Sequence, residues 1–129
     1  MAPPREKQAM ANIQQAMQQA MQIDGAIGVC VVDYKSGMCL GKEGGGNLNL
    51  DVAAAGNTEV LRAKMKAAQS LKLKDSIEDI LITLTSQYHL IRPLSGGANL
   101  FMYLALNKAQ ANLAMARYKL EQIESELTV

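Results

Sequence analysis

Apolar positions recur along this chain with two different periods, and the switches between them mark the elements. After Pro4 and up to about Gln22, Met10, Ile13, Met17 and Met21 return every three or four residues. Ala9, Ala16 and Ala20 widen the stripe, and Gln, Lys and Glu fill the opposite side. That spacing predicts an amphipathic helix. Asp24-Gly25 marks its exit. An apolar strand Ala26–Tyr34, a turn at Lys35-Ser36-Gly37 and a second strand Met38–Gly41 then predict a hairpin. The following Glu43-Gly44-Gly45-Gly46-Asn47 predicts a flexible connector. No GKS or GKT follows it and no GxGxxG spacing appears, so these glycines do not outline a phosphate-binding loop.

Asp51 is the predicted N-cap of a second helix that reaches about Leu71. Ala54, Leu61, Met65 and Ala68 form its stripe, broadened by Val60, Ala67 and Leu71. Gly56 inside a helix costs about 1 kcal/mol relative to Ala, and close approach of another backbone element is the expected reason for it. Ile77–Thr85 is β-branched and alternates, so a strand is predicted there. A turn at Ser86-Gln87 leads to a strand Tyr88–Pro93, with the proline suited to a strand end. After Ser95-Gly96-Gly97, Leu100–Leu106 is almost continuously apolar. That run and Ala26–Val32 are expected at the middle of the sheet. The last helix is predicted to open at Asn107, with Gln110 completing a capping box, and to run to about Leu127. Ala109, Leu113, Ala116, Leu120, Ile123 and Leu127 give it heptad spacing on one face. The order α-β-β-α-β-β-β-α, joined by short turns, predicts an α+β fold with a largely antiparallel sheet.

The 129 residues suit one domain, 1–129, with residues 1–5 as a flexible N-terminus. Aromatics are 4% and Trp is absent, so the core must be aliphatic, with eight Met among its candidates. A net charge of +1 supplies no global field for nucleic acid or an anionic membrane. No secretory apolar segment and no run of about 20 apolar residues is present, so cytoplasmic localisation without membrane insertion is expected. Cys30 and Cys39 lie out of register on the hairpin arms, which predicts free thiols. Arg62, Lys64, Lys66, Lys72 and Lys74 form a basic stretch. Arg62, Lys64 and Lys66 are its candidate contacts to an acidic partner, and the absence of interleaved aromatics argues against single-stranded nucleic acid.

Catalytic patterns are missing. His89 is the only histidine, and with two cysteines on another hairpin it forms no zinc signature. No GxSxG context supports a nucleophile. Asp33 with Glu43 is one carboxylate pair to consider; in the other, the adjacent Glu78 and Asp79 would point to opposite faces of a strand and not share a proton. A non-enzymatic protein without cofactor, metal or catalytic residues is expected.

The ordered set of local patterns resembles the roadblock/dynein light-chain family, which includes the bacterial MglB-type proteins. It is carried by Asp24-Gly25-Ala26, Val31-Val32-Asp33, Ser36-Gly37, the Ala53-Ala54-Ala55 helix and Asp79-Ile80-Leu81-Ile82-Thr83. Arg92-Pro93-Leu94 and Leu100–Leu106 leading into Ala111-Asn112-Leu113-Ala114 complete it. The resemblance covers about Ile23 to Leu127 and implies a five-stranded antiparallel sheet. The second helix lies on one face and the first and last helices on the other. It also implies a homodimer, with third strands paired across a two-fold axis and second helices packed together. Leu61, Met65, Ala68, Ile80 and Ile82 are then the expected interface residues. Family members bind and regulate small Ras-like GTPases or hold motor and signalling complexes together, so a regulatory or scaffold role is implied. The competing expectation is a small-ligand sensor of profilin, GAF or PAS-like architecture, with Cys30, Tyr103 and His89 as the polar groups of its pocket.

Overall fold

The two most apolar runs lie side by side in the sheet. The computed structural model describes residues 5–96 and 99–127, with side chains from Asn12 onward. The elements are α1 (Arg5–Ala20), β1 (Ala26–Asp33), β2 (Met38–Gly44), α2 (Leu50–Ser70), β3 (Ile80–Thr83), β4 (Gln87–Pro93), β5 (Leu100–Asn107) and α3 (Leu113–Glu126). The strands are ordered β2-β1-β5-β4-β3 and every pairing is antiparallel. β5 is the central strand and β1 its neighbour, as their hydrophobic runs predict. The fold is therefore the expected α+β arrangement. Residues 1–4, Gly97 and the side chains of Ala9 and Met10, which entered the sequence reading, lie outside the described residues. Arg5, assigned above to the flexible terminus, is already helical.

Strand alternation divides the core into two layers. Val29, Val31, Leu104 and Leu106 face α1 and α3, where Ile13, Met17, Ala116 and Leu120 meet them. Cys30, Val32, Phe101 and Tyr103 face α2 and its Ala54 and Leu61. Two ion pairs fasten α3 beside β3 and β4. Arg117 grips Asp79 with both Nε and Nη2, at 2.9 and 3.0 Å. Arg92 Nε donates to Glu124 Oε1 at 2.8 Å, and the Ser95 backbone N–H donates to Oε2 at 2.8 Å.

Several element boundaries differ from the sequence reading, each for a local reason. α3 starts at Leu113, capped by Asn112, whose side chain accepts from Met115 N–H at 3.0 Å. Asn107 does not cap it: β5 retains Asn107, which pairs with Gln87, and its side chain accepts from Ala109 N–H. Ala109 is therefore in an exposed turn rather than on the helix stripe. α2 is capped by Asn49, which accepts from the Asp51 and Val52 N–H groups, and this leaves Asp51 to pair with Lys42 at 2.6 Å. Of the residues expected to broaden the α2 stripe, Val60, Ala67 and Leu71 are exposed, while Thr58 is buried with its hydroxyl donating to Ala54 O at 2.7 Å. β3 is shorter than Ile77–Thr85 because only Ile80–Thr83 finds a partner in β4.

The glycine segment is a defined turn rather than a loose connector. β2 continues through Gly44, and Gly45 N–H donates to Ile27 O at 2.8 Å. Gly44, Gly45 and Gly46 all have positive φ, a region L side chains resist. A Cβ on Gly28 would meet the Gly45 backbone at 2.7 Å, so these two glycines pack chain against chain.

Gly28→Ala is expected to destabilise the fold by about 1–3 kcal/mol, because backbone must move to admit the methyl. Gly46→Ala, with φ +54 and open space around it, should cost only about 1 kcal/mol. Urea denaturation of both variants checks the order; equal losses would refute the close-packing account. A second test concerns Glu124. Burial raises its pKa, but bonds from Ser95 and Arg92 outweigh burial and hold it below the ordinary carboxylate value. Its contribution is fully present above the unfolded pKa and is lost as pH falls through the folded one. Glu124→Gln should cost about 1–3 kcal/mol at neutral pH, with the gap to wild type closing below about pH 4.

Candidate functional site: a half-covered sheet face

α2 lies across β1 and β2, and its two flanks differ in chemistry. At 100° per residue, Asp51, Arg62 and Lys66 fall on one flank. The Asp51–Lys42 pair shows that this flank looks toward the β2 edge. The opposite flank carries Ala53, Val60 and Ala67, with Gly56 and Leu71 close by. Val60 is 39% and Leu71 66% exposed. This flank overlooks the half of the sheet formed by β4 and β3. That half presents Ile80, Ile82 and His89, all only partly buried. Helix flank and sheet floor together form an open apolar angle.

The expected interface residues are distributed unevenly around it. Ile80 and Ile82 lie on the floor, and Met65 and Ala68 line a neighbouring depression of about 300 Å³ with Leu73, Ile77 and Pro93. Leu61 is fully buried beneath its own helix, so direct contact with another chain is closed to it. Gly56 is exposed and a Cβ there would meet nothing within 4 Å, so no described element of this chain makes the expected close approach. The sequence reading does not separate Ala53, Val60 and Ala67 from the core stripe as an apolar flank of their own. Their signal was the apolar excess left over once the core stripe is subtracted.

The basic residues also separate. Arg62 Nη1 donates to Glu59 at 3.2 Å and Nη2 donates to Lys35 O in the β1–β2 turn. Arg62 and Lys66 line a depression of about 390 Å³ with Tyr34, Lys35, Met65 and Gln69. Lys64 lies about 200° around the helix from Arg62 and does not share it.

Cys30, Tyr103 and His89 do come together on the α2 side of the sheet. Cys30 pairs with Tyr103 in register, and Tyr103 Oη lies 3.0 Å from His89 Nδ1. Yet Cys30 is 0% and Tyr103 1% exposed, so neighbouring side chains fill the space a ligand would need. Burial pushes the Tyr103 phenol up to about 12 and raises both thiols. The cysteines are free, with Val32 opposite Cys39 and Lys42 opposite Cys30, which is the offset that the hairpin reading gives. Among the described residues no group of three or more His, Cys, Asp or Glu is placed to hold a metal, and no helix is long and apolar enough to cross a membrane. Native protein at pH 8 should react with a thiol reagent at least about tenfold more slowly than unfolded chain, Cys39 before Cys30, because only the thiolate attacks. Fast labelling of Cys30 in the folded state would contradict this packing.

No protein-family model matches the sequence, and no curated protein is detectably similar to it. Solved structures are similar in fold. Myxococcus xanthus MglB superposes with a TM-score of 0.76 at 15% identity, over 99% of this chain and 90% of that one. A Roadblock/LC7 domain from Streptomyces avermitilis gives 0.71 at 11% identity, over 89% and 90%. An MglB in a tetrameric arrangement gives 0.75 at 14% identity, over 98% and 90%. The chain thus has the roadblock/LC7-type fold, the fold of MglB.

Proposed function

We propose that this chain is a non-catalytic regulatory protein that works as a homodimer and binds a small Ras-like GTPase. The observation that carries the dimer is the apolar angle between α2 and β3. β3 is an edge strand with Ile80 and Ile82 on its floor side, and no charge interrupts Ile80–Thr83. The other edge, β2, is blunted by Lys42 and by a bulge opposite Val31 and Val32. Two-fold pairing of β3 strands would bring a second α2 over the partly covered floor. The flank formed by Ala53, Gly56, Val60 and Ala67 has the small residues that close helix approach needs. Met65 and Ala68 border this contact, and Leu61 supports it from below.

The GTPase reading rests on the roadblock resemblance, and the tetrameric neighbour fits a fold that assembles. The candidate partner contact is the Lys35–Arg62–Lys66 depression, a cluster of cations around the half-buried Met65 and Tyr34. It would take an acidic protein surface. Lys64, on the other flank, belongs with the dimer contact rather than with this one.

Light scattering at micromolar concentration should report a dimer. Val60→Asp combined with Ile82→Lys should give a folded monomer by circular dichroism and scattering together. A monomeric wild type would sink the dimer proposal. Capture of a small GTPase from native lysate should depend on whether GDP or a non-hydrolysable GTP analogue is present, and should be lost with Arg62→Glu/Lys66→Glu. Captured proteins that never include a GTPase in either state would leave a structural scaffold instead.

A further inference from the structure

The floor of the apolar angle contains one ionisable side chain. His89 faces the same side as Ile82, its partner on β3, and Ile91 two residues along β4. Both of its nitrogens are engaged. Nε2 lies 2.7 Å from Gln87 Oε1, an acceptor, so Nε2 carries the hydrogen. In the neutral ring Nδ1 is then bare and accepts from the Tyr103 hydroxyl at 3.0 Å. The rings meet edge to face, with centroids 5.3 Å apart and planes at 82°. This network fits the neutral imidazole. A proton on Nδ1 would reverse this bond: the Tyr103 oxygen would accept, and its hydroxyl hydrogen would lose His89 as acceptor within a buried site.

Among the described residues, the surroundings offer the imidazolium no counter-ion. β3 presents Ile80 and Ile82, and β5 presents Tyr103 and Ala105. On α2, Asp51 is turned to Lys42 and Glu59 to Arg62, both away from the floor, while Lys64 is the charged residue on the overlooking flank. Burial is the one cause that lowers the His89 pKa already in the single chain.

We infer that His89 makes dimerisation pH-sensitive: the second copy seats on the neutral imidazole and is released when His89 is protonated. The inference rests on the proposed dimer. The sign follows from linkage. A group that is harder to protonate when covered binds fewer protons in the dimer, so acid favours the monomer. Each dimer carries two such sites, one per chain. Above the His range nothing changes, and the effect begins as pH falls through the monomer's own His89 pKa, which burial already holds below the ordinary imidazole value.

The test uses the full chain. Its single histidine gives one imidazole signal by NMR, titrated once at a concentration where the chain is monomeric and once where it is dimeric. The His89 pKa should be lower in the dimer. In parallel, sedimentation equilibrium should show the dimer Kd rising at least about tenfold from pH 7.5 to pH 5.5, whereas His89→Gln should stay flat. A His89 pKa that ignores concentration, or the same pH dependence in His89→Gln, would overturn the inference and leave the dimer standing. A wild type that is monomeric at pH 7.5 at every concentration would remove both. If His89→Gln fails to fold, the concentration dependence of the wild-type titration decides alone.

Discussion

A helix is narrower than the sheet it must cover, and the rest of this structure follows from that mismatch. Five strands at about 4.8 Å spacing span roughly 24 Å, while one helix with its side chains is about 10 Å across. On one face α1 and α3 together cover the width, and the buried set there runs from Ile13 through Val29 and Leu104 to Leu120. On the other face α2 stands alone above β1 and β2. The central strand β5 still closes on that side, because Phe101, Tyr103 and Ala105 reach under the helix. β4 closes only at Ile91, and beyond it His89 on β4 and Ile80 and Ile82 on β3 remain partly covered.

That shortfall explains why the composition of α2 looks irregular when read as a one-sided helix. Leu50, Ala54, Thr58 and Leu61 satisfy the chain's own core. On a second flank Ala53 touches the core edge, while Val60, Ala67 and Gly56 are exposed apolar positions. Its residues are small, as the Gly56 cost of about 1 kcal/mol would require if another helix comes close. The charged flank, with Asp51, Arg62 and Lys66, faces the β2 edge instead. One helix thus carries a core stripe, an apolar flank and a charged flank at different angles.

Much of the fold was legible because strand and helix periods differ so plainly here. The continuous runs Ala26–Val32 and Leu100–Leu106 located the inner strands, and β-branched alternation located the strand Ile77–Thr85, of which Ile80–Thr83 pairs. Boundaries were less legible because one signal can be claimed by two structures. Asn107 and Asn112 are both good caps, and the ladder bond to Gln87 decided which one served. Asp51 and Asn49 competed in the same way, and the nearby Lys42 drew Asp51 outward. For the site, periodicity singled out Leu61 because it reports which residues avoid water. It does not report how far a residue is sheltered, so the buried Leu61 and the exposed Val60 look alike in sequence. Lys64 was grouped with Arg62 and Lys66 by nearness along the chain, which a 200° rotation undoes.

His89 shows the same constraint from the side of chemistry. A histidine beside Tyr103 and Cys30 suggests a reactive or ligand-binding cluster, and in this sheet the three do meet. Reactivity needs access and a stabilised charge. Tyr103 and Cys30 have neither, being sealed under α2 with their acid forms favoured. His89 alone sits where the helix stops short, half in the core network and half on the open floor. Its position at the boundary of coverage, rather than its membership of a polar cluster, is what makes its protonation matter. In the proposed dimer the residue would sense what completes the sheet face, because an apolar cover disfavours its charged form.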